Sequence, residues 1–240
     1  MSIKLERFLH TNNINNDKIG SIFKVYIARE EEILKILTFA NLEHVPVYYN
    51  YTNKLEINIK SKDKPIIFLI FNYFNKIYEI NIANRYVVVE PGVKAEYLNQ
   101  ILKKDNFIFL PFSNDKTGIN IGQMIFNNII GKNQVKTVDS ILGLEVILPR
   151  GELVHTGSKT LKSVSGYDIT SLFIGSQGIF GIVTKATLRI DPIVGPSEDK
   201  ALKINSLNVQ SGFNEEELKL LQKLKKVIDP EHILNINYLI

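Results

Sequence analysis

Cysteine is absent from the 240-residue sequence, which excludes disulfides, thiolate catalysis and iron–sulfur ligation by this chain's own side chains. Any metal cluster would belong to a partner. A basic arm or stripe is missing too: 29 basic residues stand against 25 acidic ones, and the net charge of +4 is spread through a balanced background. Nucleic acid is therefore a poor candidate ligand. Long apolar runs are lacking, since even residues 65–71 fall far short of the roughly 20 needed to span a bilayer. The polar start, residues 1–6, is no signal peptide, and the chain is expected in the cytoplasm. The histidines, His10, His44, His155 and His232, never come in the close pairs that metal-binding helices and hairpins use, so no metal site is predicted. There is no internal repeat and no low-complexity tract.

What is present is an ordinary globular composition, 45% hydrophobic and 22% charged, enough to bury a core in one large domain or two small ones. The patterning predicts an α+β chain. Strand 23–28 leads into a helix with Arg29-Glu30-Glu31-Glu32 at its start and Ile33, Ile36, Leu37 and Ala40 at helical spacing, and Val45-Pro46-Val47 then opens an extended segment. Residues 48–64 are polar and lysine-rich; the alternation Leu55-Glu56-Ile57-Asn58-Ile59 reads as a loop in preference to an extra strand. Strands follow at 65–70, 76–82 and 86–90, and Pro91-Gly92 closes this first unit, residues 1–92. The second unit, 93–192, has helices at 95–104 and 123–130 and strands at 140–148, 153–156 and 182–190, with Pro149-Arg150-Gly151-Glu152 as a hairpin turn. Residues 193–213 read as a linker, and 214–240 as a terminal helix and tail whose acids come first and lysines last.

The most informative stretch is Gly175-Ser176-Gln177-Gly178-Ile179-Phe180-Gly181-Ile182-Val183-Thr184-Lys185-Ala186-Thr187-Leu188-Arg189-Ile190-Asp191-Pro192. Three glycines lead straight into an alternating strand, so the backbone turns tightly, runs extended and can press bare amides against a ligand. With Val88-Val89-Glu90-Pro91-Gly92-Val93, Leu142-Gly143-Leu144-Glu145-Val146-Ile147-Leu148-Pro149, Ser165-Gly166-Tyr167-Asp168, Leu172-Phe173-Ile174 and the terminal Val227-Ile228-Asp229-Pro230-Glu231-His232-Ile233-Leu234-Asn235, this stretch resembles the PCMH-type FAD-binding domain of the glycolate oxidase and D-lactate dehydrogenase flavoproteins, related to vanillyl-alcohol oxidase. The resemblance implies a two-subdomain α+β fold with FAD between the halves and hydride removal from a 2-hydroxy acid. It also implies ligand-facing positions at Pro111, Gly118, Ile121, Gly122, Gly175, Ser176, Gly178, Gly181, Ile182 and Val183. Glycines there would allow close approach and free amides would offset phosphate charge.

The departures from that family are as specific. Where it places a glycine-dense pyrophosphate loop, this chain has Tyr48-Tyr49-Asn50-Tyr51-Thr52-Asn53-Lys54-Leu55-Glu56-Ile57, without one glycine. Side chains there hold the backbone off a phosphate and disfavour the positive φ angles of an amide nest. Met124, Ile125 and Phe126 replace small residues, Gln177 stands where glutamate is usual, and the 193–213 linker takes the place of a cap domain that supplies substrate contacts and a base. The terminal signature beyond the linker points to an internal loss of that cap. The leading reading is therefore an FAD-binding-domain subunit of a glycolate or D-lactate dehydrogenase-like complex, working beside protein subunits that hold the substrate site or relay electrons, with no catalytic residue assigned in this chain. The rival reading is a flavin-free paralogue that acts as a scaffold, and a third is a smaller nucleotide, FMN or AMP, bound by the second unit alone.

Blander readings accompany several motifs. The glycines at 175–181 also suit a tight turn; Tyr167 and Asp168 suit a buried hydroxyl and a helix cap; His155 suits the surface. Phe68, Phe71, Tyr73, Phe74 and Tyr78 read as a partner surface or stacking platform or, for most of them, as core packing, whereas Tyr48, Tyr49 and Tyr51, in a polar loop, are candidates for an exposed partner surface. Lys219, Lys223, Lys225 and Lys226 read as a solvated helix face.

Overall fold

The computed structural model describes residues 1–52, 64–111, 118–131, 135–158, 168–193 and 215–236. Helix α1 (Ser2–Thr11) buries Leu5 and Leu9, one turn apart on one face. Strands β1 (Asn16–Ile19) and β2 (Ile22–Tyr26) form an antiparallel hairpin whose turn holds Gly20 at φ +62. Helix α2 (Glu30–Glu43) starts where Glu32 reaches back to accept hydrogen bonds from the amides of Ala28 and Arg29, at 2.9 and 3.3 Å. Strands β3 (Val47–Tyr48) and β4 (Ile66–Ile70) complete a sheet ordered β1-β2-β4-β3, with β4 parallel to both neighbours. Every residue of β4 is buried, as expected of a central strand covered on both faces.

The second sheet draws on β5 (Ile77–Asn81), β6 (Tyr86–Val89), β8 (Ile141–Ile147), β9 (Leu153–Gly157) and β10 (Ile182–Arg189) in the order β5-β6-β10-β8-β9, antiparallel throughout. Helices α3 (Ala95–Leu102) and α4 (Ile121–Asn127) lie between β6 and β8 in the chain, and a short α5 (Thr170–Phe173) precedes β10. Strand β7 (Phe107–Ile108) pairs with β11 (Asp191–Pro192), and α6 (Glu215–Ile228) is the last helix described. One continuous apolar core runs through both sheets, from Phe23 and Ile36 to Val146, Leu188 and Ile233.

The sequence did not predict α1, whose opening residues are polar, β1, an exposed edge, or the two-residue strands β7 and β11. The strands expected at 76–82 and 86–90 pair into the second sheet, so the change of sheet falls between Ile70 and Ile77 and not at Pro91-Gly92. The alternation at 55–59, the Ser165-Gly166-Tyr167 motif and the linker beyond Ile193 lie outside the described residues.

Candidate functional site at the seam between the sheets

The chain leaves β3 and enters the seam between the two sheets with Tyr49 and Tyr51 buried at 1% and 3% exposure. The expected exposed tyrosine surface is corrected here: both rings lie in an aromatic cluster with Phe71 and Phe126, at centroid distances of 4.7 to 6.2 Å. The Tyr49 hydroxyl donates to the Gly181 carbonyl, and the Tyr51 hydroxyl donates to the Val183 carbonyl at 2.7 Å. Burial pushes the Tyr51 phenol well above its ordinary value, because a phenolate there would lose its hydration. Tyr51 takes a left-handed backbone, φ +55, and Asn120 Nδ2 donates to its carbonyl at 2.8 Å. Asn120 also caps α4, where its side chain and that of Gln123 each accept the other's backbone amide.

The predicted site residues divide into two groups. Gly122, Gly178, Gly181, Ile182 and Val183 gather around the tyrosine pair. A methyl group on Gly122 would lie 2.5 Å from the Tyr51 ring, and one on Gly178 would lie 2.5 Å from Tyr49 Cζ and 2.7 Å from Asn235 Nδ2. Gly181 is crowded from the other side, by Val146 Cγ1 at 2.5 Å. Gly118, by contrast, is exposed with open space around it, and Pro111 sits with its backbone against Gly131. Ser176 turns its hydroxyl inward to the Phe173 carbonyl at 2.8 Å.

Three of the amides expected to face a ligand are instead bonded within the fold. Ile121 donates to the Val93 carbonyl at 2.9 Å, Gly122 to Pro91 at 2.7 Å and Gly175 to Ile125 at 2.8 Å. Gln177 and Ile179 donate likewise, to Phe126 and Ser176. These groups hold the turn together and are not aimed at a ligand.

The sequence reading missed the C-terminal residues that lock this seam. Lys225, expected on a solvated face, is buried at 4% exposure, with Nζ 2.6 Å from each of the Ile179 carbonyl, the Leu234 carbonyl and Asp229 Oδ2. Three protons meet three acceptors. Burial holds the Lys225 ammonium below its ordinary pKa, with Asp229 pulling the other way. The Asp229 carboxylate also accepts the amides of Ile233 and Leu234, at 3.0 and 2.9 Å. Asn235 accepts the Tyr49 amide at 2.9 Å and donates to the carbonyls of Tyr49 and Gln177 at 3.0 and 2.9 Å. The i, i+4 spacing of Lys225 and Asp229 was the available signal, hidden among neighbouring lysines.

A second polar cluster lies on the five-stranded sheet. Lys185 Nζ is 2.7 Å from Glu145 and 3.7 Å from Glu30, and it stands 5.4 Å over the Tyr78 ring. The Tyr78 hydroxyl donates to Glu90 at 2.7 Å. His155, 67% exposed and 3.6 Å from Glu145, keeps the surface place expected of it.

Residues 23–157 match the family model described as an FAD binding domain, more than half of the chain. The chain belongs to that family. Among curated relatives of this FAD binding domain protein, the glycolate oxidase subunit GlcD of Bacillus subtilis is 32% identical over 165 residues, which is 68% of this chain and 35% of the relative. The mitochondrial D-lactate dehydrogenase (cytochrome) of Arabidopsis thaliana is 32% identical over 173 residues, 70% of this chain and 30% of that one. The chain thus spans about a third of the length of these relatives. Alkyldihydroxyacetonephosphate synthase shares the fold at a TM-score of 0.59 and 16% identity, over 71% of this chain and 31% of that chain. The structure of p-cresol methylhydroxylase with substrate bound does so at a TM-score of 0.56 and 21% identity, over 71% and 35%. The expected glycolate oxidase and D-lactate dehydrogenase kinship and the PCMH-type α+β fold are therefore correct.

FAD is the group this family implies, and it requires amide donors for its pyrophosphate and a slot between the halves for its length. The described residues of this member do not fit it. The seam is filled by Tyr49, Tyr51 and Phe126, and Gly122 and Gly178 beside it are covered by Tyr51 and Tyr49. Among the described residues there is also no cluster of metal-ligating side chains, and no described helix is long and apolar enough to cross a membrane.

Proposed function

We propose that this chain is a non-catalytic subunit of a 2-hydroxy-acid oxidoreductase assembly, lending its fold as a structural partner while other chains bind substrate and carry electrons. One observation carries the reading. Each of the four charged side chains buried among the described residues is committed to holding the fold together. Glu32 starts α2 and pairs with Arg29. Glu90 accepts the Lys76 amide at 2.6 Å and the Tyr78 hydroxyl. Lys225 and Asp229 bind each other and four backbone groups. A general base must be able to take up a proton within reach of substrate, and an arginine clamp must be held for a carboxylate; none of these four side chains is placed to serve as either. The relatives' names, glycolate oxidase and D-lactate dehydrogenase, supply the substrate class.

The test is turnover. The purified chain, given FAD, D-lactate or glycolate and a reducible dye, should leave the dye oxidised. Dye reduction by the isolated chain above the protein-free rate refutes the proposal.

A further inference from the structure

We infer that this chain carries its own substitute for a dinucleotide: Tyr49 and Tyr51 close the inter-sheet groove as a built-in ligand, and no FAD seat forms there. This goes beyond the proposed function, because a subunit without catalytic groups could still hold a flavin.

One edge of β10 is open beside the groove. That strand pairs with β8 from Ile182 onward, but its partnership with β6 begins only at Ala186. Beside residues 181–183 the strand edge on the β6 side is consequently unpaired by any strand. Carbonyls two residues apart on a strand point the same way, so those of Gly181 and Val183 look together into the groove. A buried carbonyl without a donor is costly, and something must satisfy it. A nucleotide base could do so with its N–H groups. Here the hydroxyls of Tyr49 and Tyr51 do it instead, across 132 residues of sequence in both cases. The identical offset means that the 49–51 segment runs alongside β10 in a fixed parallel register, and two side-chain donors stand in for the amides of a missing strand.

Three further observations come from different parts of the chain. The glycine cradle is shaped to the tyrosines: Gly122 admits the Tyr51 ring, and Gly178, at φ +70, admits the Tyr49 hydroxyl end and Asn235. The amides of Ile121, Gly122 and Gly175, three of those expected to face a ligand, are bonded to carbonyls, as are those of Gln177 and Ile179. The plug is also locked from outside. Asn235 fixes both backbone groups of Tyr49 and ties them to Gln177, while Asn120 fixes the Tyr51 carbonyl. Admitting FAD would require both rings to leave, with the loss of two hydroxyl bonds, four edge-on or tilted ring contacts to Phe71 and Phe126, and the Asn235 clamp. Sequence alone shows a missing glycine loop; the structure shows what took its place.

Two measurements test the inference on the full chain. In the first, thermal unfolding is followed with FAD, FMN or AMP added to the purified protein. A seat whose Kd is a hundredth of the nucleotide concentration would raise the folded-to-unfolded ratio about a hundredfold. No shift in midpoint with any of the three, and no flavin released on denaturation, is expected. A yellow protein, or a midpoint that climbs with nucleotide concentration, overturns the inference. The second uses the paired variant Tyr49→Phe with Tyr51→Phe, which keeps the rings and removes only the donors. Its folding equilibrium should weaken by about tenfold per hydroxyl. An unchanged equilibrium would show that the hydroxyls satisfy nothing, and would refute the substitute-ligand role. Flavin binding without dye reduction would sink this inference and leave the proposed function standing.

Discussion

Replacing Lys225 by methionine removes one half of the buried ion pair in the C-terminal segment. Methionine matches the aliphatic stem, so the change removes the ammonium with little loss of volume. Asp229, at 0% exposure, then keeps only the Ile233 and Leu234 amides against its charge, and the carbonyls of Ile179 and Leu234 each lose a donor. Breaking a buried ion pair from one side costs about 3–5 kcal/mol, which includes the stranded carboxylate. For a domain of this length each kcal/mol moves the midpoint by roughly 2–4 °C, so Lys225→Met should unfold roughly 6 to 20 °C below the parent. Asp229→Asn should do similar harm, since one asparagine oxygen cannot accept two amides and an ammonium as a carboxylate does. The double variant supplies the control: with neither charge left to strand, it should be less destabilised than the two single changes added together, by about 1–3 kcal/mol. Urea unfolding followed by far-UV circular dichroism measures all three, and amide exchange over 215–236 shows whether α6 detaches first. A Lys225→Met protein within about 0.5 kcal/mol of the parent would show that the ammonium does not hold the C-terminal segment in place. Strict additivity in the double variant would show that the two charges do not act as a pair.

Other outcomes follow from the same seam. Asn235→Ala removes three buried hydrogen bonds around Tyr49 and Gln177 and should cost about 3 kcal/mol in urea unfolding. Gly178→Ala should be worse than Gly20→Ala by about 1–3 kcal/mol: both glycines have positive φ, but only Gly178 is crowded, so their difference reads the overpacking alone. Alkaline pH should weaken the fold through Tyr51. Its folded pKa lies above the unfolded value of about 10, so its contribution is complete below pH 10 and is lost as pH rises from there towards the folded pKa. The slope approaches 1.4 kcal/mol per pH unit for one such group, and Tyr51→Phe should flatten it by up to that amount. Gly131→Ala would drive a methyl group into the Pro111 backbone, with Pro111 Cα at 2.7 Å, and should lower the thermal midpoint measurably.

How much of this was legible in the sequence depended on whether the signal was local. The strands at 141–147 and 182–189, the hairpin between Leu148 and Glu152, and helix α2 announce themselves by alternation, turn chemistry and helical spacing. Helix α1 carries Leu5 and Leu9 at the right spacing, yet its weak overall hydrophobicity leaves the helix dependent on packing against the core. Sheet membership of β5 and β6 was not legible at all, because it is settled by pairing with β10 about a hundred residues away. Tyr49 and Tyr51 lie among polar neighbours, and Lys225 lies among lysines. Each looked exposed for the company it keeps, and each is buried by a partner that only the fold brings near.

The tyrosine pair also shows why a groove cannot simply lose its ligand. An inter-sheet slot has apolar walls and an unpaired strand edge, and empty it would leave two buried carbonyls unsatisfied and a void between packed layers. A tyrosine answers both needs at once, with a flat apolar body for the slot and a donor at its tip. Two of them, placed two residues apart after a short parallel strand, match the spacing of the carbonyls they meet. The absent glycines are then explained by the same requirement: a nest for phosphate needs a bare, left-handed backbone, whereas a plug needs side chains. One segment cannot be both, and at residues 49–51 this chain has side chains.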